Sequence, residues 1–110
     1  MGWLRVNARR RPDGGVVVAL TGELDLAEVG RVSRRMAKLE QDSPAELYMD
    51  LRKLTFLDSS GLQALVDAEA RGRAAGRRVV FIQGPSTVQR VFELTRLDER
   101  VEMLEDLPPE

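Results

Sequence analysis

At 110 residues, with 17 Lys and Arg against 18 Asp and Glu and a formal charge of −1, the chain has room for one hydrophobic core and no overall field to gather nucleic acid or an anionic membrane. It has no cysteine and no histidine, which removes disulfides, thiolate chemistry, the usual zinc ligands and the commonest general base, and with them most hydrolase mechanisms. Function is therefore expected on the surface of a single domain, 1–110.

In chain order, Trp3 to Ala8 alternates polar and apolar positions and predicts an edge strand with one face in the core. Arg9-Arg10-Arg11 then leads into Pro12-Asp13-Gly14-Gly15, where proline presets one dihedral and glycine accepts positive φ. That predicts a hairpin turn with the arginines on its solvated rim. Val16 to Thr21 is apolar and mostly β-branched, the pattern of a strand covered on both faces. Gly22-Glu23-Leu24-Asp25 turns into a helix whose apolar stripe is Val29, Val32, Met36 and Leu39, with Arg31, Arg34, Arg35 and Lys38 on its solvated side.

Pro44 ends that helix, and Glu46 to Leu51 predicts a second buried strand, joined to the first by a parallel crossover. Arg52 to Leu57 carries the chain to Asp58-Ser59-Ser60-Gly61. From there Leu62, Leu65, Val66 and Ala70 keep helical spacing up to Gly76. Gly72 inside this run marks a close contact or an early end. Arg77 to Ile82 is a third buried strand, and Gly84-Pro85-Ser86 opens a helix with Val88, Val91, Phe92 and Thr95 inside. Val101 to Leu104 predicts a last short strand, and the acidic tail 105–110, with two prolines, is expected to fray. The order β-β-α-β-α-β-α-β gives an α/β domain with a mixed sheet of four to five strands flanked by helices. No stretch approaches ~18 uncharged apolar residues, so a cytoplasmic protein without a membrane partner is expected.

The most informative stretch is Phe56-Leu57-Asp58-Ser59-Ser60-Gly61-Leu62, an apolar run that breaks into small polar residues and resumes with helical spacing. Asp58 suits a helix cap, and the dipole of the helix makes that corner hospitable to an anion. A hydroxyl there could carry phosphate without melting the helix. No glycine-rich phosphate loop of the usual spacing follows a strand, so nucleotide binding by the chain itself is not expected.

Three pieces, Thr21-Gly22-Glu23-Leu24-Asp25, Leu51 to Leu62, and Val88 to Thr95 followed by Leu97, give the chain a strong resemblance to STAS domains, specifically the stand-alone bacterial anti-sigma factor antagonists. The resemblance implies a regulatory protein, not an enzyme, that binds an anti-sigma factor serine kinase and thereby frees a sigma factor. It implies Ser59 as the phosphate acceptor, with Ser60 at a position that is Ser or Thr in relatives. Asp58, Ser59, Ser60, Gly61 and Leu62, together with Glu23 and Asp25, are expected at the partner surface. The chain itself would hold no cofactor or metal, because ATP and magnesium would belong to the kinase; a serine phosphatase is the partner that could reset the switch. Arg96 stands where many relatives have glycine. Two rival functions keep the fold: a scaffold subunit of a sensory or lipid-transport complex, and an enzyme using Asp25, Asp50 and Asp58 as a carboxylate cluster beside Ser59.

Overall fold

The computed structural model describes residues 2–110. Its elements are β1 (Leu4–Arg10), β2 (Val16–Leu24), α1 (Leu26–Glu40), β3 (Glu46–Leu57), α2 (Ser59–Ala74), β4 (Arg78–Ile82), α3 (Ser86–Leu94), a 3-10 turn (Leu97–Glu99) and β5 (Glu102–Leu104). They form one five-stranded mixed sheet in the order β1-β2-β3-β4-β5, antiparallel between β1 and β2 and parallel elsewhere.

Because each crossover advances one strand in the same direction, right-handed connections put every intervening helix on the same face of the sheet. The core reflects this. Val32 and Met36 of α1, Leu62 and Leu65 of α2, and Val88 and Phe92 of α3 pack with Val18, Leu20, Met49, Leu51 and Phe81 in one cluster. Phe81 and Phe92 meet at a centroid distance of 5.6 Å and tilt by 54°, docking α3 on β4. The α1 stripe is the one its spacing predicts. That of α2 is rotated: Ala68, Glu69 and Gly72 are buried where Ala70 was expected and is exposed. Small residues set this face, since a Cβ on Gly72 would lie 2.4 Å from Val79 Cγ2.

Among the described residues the other face of the sheet carries no helix. Val17, Tyr48, Val80 and Ile82 form a second cluster, covered by Leu104 and Leu107. Residues 105–110, expected to fray, instead fold back over it. Asp106 pairs with Arg52 at 2.7 Å, the Pro109 carbonyl accepts from Arg11 at 2.8 Å, and Glu110 pairs with Arg9. Arg11 is a second correction. Expected on a solvated rim, it is 2% exposed, its guanidinium 5.0 Å from the Tyr48 ring centroid and paired with Asp13 at 3.2 Å.

β2 continues through the expected turn to Leu24, and β3 continues through residues 52–57. Two register shifts, between Ala19 and Thr21 and between Gly22 and Glu23, each place one extra residue on β3. The buried positions of β3 consequently run Leu47, Met49, Leu51 and then Leu54 and Leu57, which carries the strand intact to Asp58. Arg96 sits at φ 60°, in the left-handed region that glycine enters without steric cost.

Candidate functional site

Parallel pairing sets Leu24 of β2 beside Leu57 of β3, so the two strands end together. Each is followed by one aspartate and a helix, which brings the N-termini of α1 and α2 side by side. Asp25 and Asp58 both have the extended backbone of a cap residue, with φ −126° and −96° respectively.

Their side chains behave differently. Asp58 Oδ1 accepts from Gly61 N at 2.8 Å, the cap bond that the sequence predicts. Asp58 Oδ2 accepts from Leu26 N at 3.1 Å, in the first turn of the neighbouring helix. The Asp58 amide donates to the Leu24 carbonyl at 3.3 Å. One residue thus joins the corner, its carboxylate holding both helices and its amide the end of β2. Asp25 makes no side-chain cap bond, and its Oδ1 is buried without a partner. The amide three residues on, that of Glu28, which an N-cap carboxylate can receive, donates instead to the Asp25 backbone carbonyl at 3.0 Å.

Ser59 is the first residue of α2 and is exposed; Ser60 is half-buried. Gly61 is held where only glycine fits, because a Cβ would lie 2.6 Å from the Leu24 carbonyl oxygen and 2.7 Å from Leu24 Cγ. Leu62 is 7% exposed and belongs to the core. Gly61 and Leu62, expected at the partner surface, are both buried, Gly61 against Leu24 and Leu62 in the core. Glu23, half-buried, lies opposite Phe56 in the β2–β3 register, and its amide donates to the Trp3 carbonyl at 2.8 Å. Ser59 is the exposed member of the corner, and half-buried Glu23, Asp25, Asp58 and Ser60 make its rim.

Asp50 is not part of this group. It lies earlier on β3, with both carboxylate oxygens bound by Arg52 at 2.9 Å. Burial pushes its carboxyl up, but the side-chain and backbone hydrogen bonds from Arg52 outweigh that and hold it below the ordinary value. Among the described residues, no group of three or more acidic, His or Cys side chains is placed to hold a metal ion. None of their helices is long and apolar enough to cross a membrane.

The exposure of two large apolar side chains at the corner was not anticipated from the sequence. Leu26, next to Asp25, is 72% exposed, and Phe56, just before Leu57, is 47% exposed. For Leu26 a signal exists in hindsight: it is in phase with the α1 stripe but stands one turn before its first partly buried member, past the end of the sheet. Phe56 has no such signal, because the bulges of β3 decide which way it faces.

Against this fold and corner, comparison with known proteins is consistent. The family model described as "Mlab, STAS domain" matches residues 7–106. An anti-sigma-F factor antagonist, RsfB, of Mycobacterium tuberculosis is 28% identical over 97 residues, covering 86% of this chain and 77% of that protein. The crystal structure of an anti-sigma factor antagonist from Mycobacterium paratuberculosis superposes with a TM-score of 0.82 at 27% identity, over 96% of this chain and 88% of that one. The Bacillus cell-fate determinant SpoIIAA, in its phosphorylated form, has the same fold at a TM-score of 0.72 and 20% identity, over 93% of each chain. With the family model spanning nearly all of its length and its relatives carrying these names, the chain belongs to the STAS domain family.

Proposed function

We propose that this protein is an anti-sigma factor antagonist whose unphosphorylated form binds an anti-sigma factor serine kinase and frees a sigma factor, and that phosphorylation of Ser59 ends the complex. The observation that carries this reading is the position of Ser59: an exposed hydroxyl at the head of α2, beside an aspartate whose two oxygens are committed to holding the corner rigid. The names of the relatives support the partner class. At 20% identity the phosphorylated Bacillus protein is a guide to the fold alone, and the case for Ser59 rests on the motif resemblance together with its exposure at the head of α2.

The physical logic of the switch follows from charge. Phosphate on Ser59 adds about −1.5 to −2 charges next to Asp58, Asp25 and Glu23. Two helix N-termini converge there, so the fold tolerates the added anion. A partner surface shaped for a neutral hydroxyl does not, because burying the dianion costs desolvation and sets it against like charges. Each ~1.4 kcal/mol of that penalty weakens binding tenfold. Leu26 and Phe56 supply apolar contact around the polar centre. The chain contributes no catalysis; ATP and Mg²⁺ belong to the kinase, in the cytoplasm where sigma factors act, and a serine phosphatase would reverse the modification.

Incubation with the candidate kinase and ATP, followed by mass-spectrometric mapping, tests the assignment. Phosphate is expected on Ser59 and absent from Ser59→Ala; phosphate that persists in Ser59→Ala contradicts it. A second reading, a scaffold subunit of a sensory or lipid-transport complex, is compatible with the STAS family model that matches residues 7–106. It predicts a stable complex indifferent to Ser59→Glu.

A further inference from the structure

The flank of α1 and the neighbouring edge of the sheet take no part in the corner. β1 is an edge strand. Its bonds to β2 fall at odd positions, as Glu23 N donating to the Trp3 carbonyl at 2.8 Å and Arg11 N donating to the Gly15 carbonyl at 2.7 Å show. Antiparallel pairing alternates, so the N–H and C=O groups of Val6, Ala8 and Arg10 face outward, away from β2. Alongside this edge runs a groove of about 310 Å³ lined by Val6, Arg31, Arg34, Arg35 and Lys38. It is followed along the strand by a shallower one of about 150 Å³, lined by residues that include Ala8, Arg10 and Leu39, with Asp42 as its acid. Arg31 bonds Glu28 and the Leu4 carbonyl, closing the edge at Leu4. Among the described residues Arg34, Arg35 and Lys38 have no ion-pair partner.

We propose that this trough receives an acidic, extended segment of a partner protein, which adds to β1 as a further strand and sets its carboxylates against Arg34, Arg35 and Lys38. The inference does not depend on the role of Ser59. Outward backbone groups repeating along a strand are answered by another peptide backbone, and neither a nucleic acid nor a lipid surface offers that spacing. A second copy of this chain is disfavoured, because edge-to-edge pairing would bring Arg9, Arg10 and the α1 cations of both copies together. Cations on an edge strand are a defence against self-pairing, and the same charges select an acidic segment. Alternate residues of an added strand recur every ~7 Å, against ~5 Å for successive turns of α1, and the long, exposed side chains of Arg34, Arg35 and Lys38 span that difference.

The test uses the full chain and, as probe, a fluorescein-labelled peptide of about ten residues alternating Glu and Thr, followed by fluorescence anisotropy at low and high salt. Saturable binding that weakens with salt is expected, reduced roughly tenfold by Arg34→Glu combined with Arg35→Glu. Val6→Pro, which removes one outward N–H and none of the bonds to β2, should weaken it similarly. If that variant fails to fold by circular dichroism, N-methylation of alternate peptide residues asks the same question from the ligand side, and loss of binding is again expected. An N-methylated peptide in both registers that binds as well as the parent overturns the proposal. So does tighter binding of single-stranded RNA or of phosphatidylserine vesicles, or no binding of the peptide by the wild-type chain.

Discussion

Asp25 and Asp58 stand at equivalent places, each between the end of a parallel strand and the start of a helix, yet only one of them holds the structure. Asp58 accepts from Gly61 N at 2.8 Å and from Leu26 N at 3.1 Å, while Asp25 has a buried oxygen with no partner. Asp58 reaches both helices, while the Glu28 amide that could answer the Asp25 side chain donates to the Asp25 backbone carbonyl instead. The corner is thus divided into a rigid joint, Asp58 with Gly61, and an uncommitted acidic rim, Asp25 with Glu23, on which charge can act without disturbing the fold.

Substitutions at the joint and at the rim should separate in size. Gly61→Ala should be the most damaging, lowering unfolding stability by about 3 kcal/mol in urea denaturation, because its Cβ meets a backbone carbonyl that cannot rotate away. Asp58→Ala follows at about 2 kcal/mol, the loss of a cap and of a second charge-assisted bond. That corresponds to a melting temperature lower by roughly 8 °C. Asp58→Asn sharpens the point: its carbonyl can still cap Gly61, but its amide cannot accept from Leu26, and about 1 kcal/mol should be lost. Asp25→Ala should change stability by less than ~0.5 kcal/mol, since no bond is lost and an unanswered buried oxygen is removed. A cost at Asp25 equal to that at Asp58 would erase the distinction between joint and rim.

Part of this was readable in the sequence. The helix of Val29, Val32, Met36 and Leu39 announces itself by spacing, and Asp58 announces a cap by standing between an apolar strand and a helical pattern. The bond from Leu26 to Asp58 could not be read, because it depends on Leu24 and Leu57 ending in register, a tertiary fact about two strands joined through a helix. The far half of β3 was hidden for a related reason: bulges space Leu51, Leu54 and Leu57 three apart, which resembles no strand period. Arg11 looked solvated because a run of three arginines ordinarily is. Its burial depends on Tyr48 and on the returning tail, neither of them near it in sequence. Local chemistry was legible where neighbours in the chain supply it, and was not where the sheet supplies it.

The central claim, that charge on Ser59 acts on the partner and not on the fold, is tested most directly by titrating wild-type and Ser59→Glu protein against the candidate anti-sigma kinase without ATP, with melting curves alongside. Binding weaker by roughly a hundredfold, about 2.8 kcal/mol, with a melting temperature changed by less than ~2 °C, is the predicted result. Equal affinity of the two proteins for the kinase would contradict it.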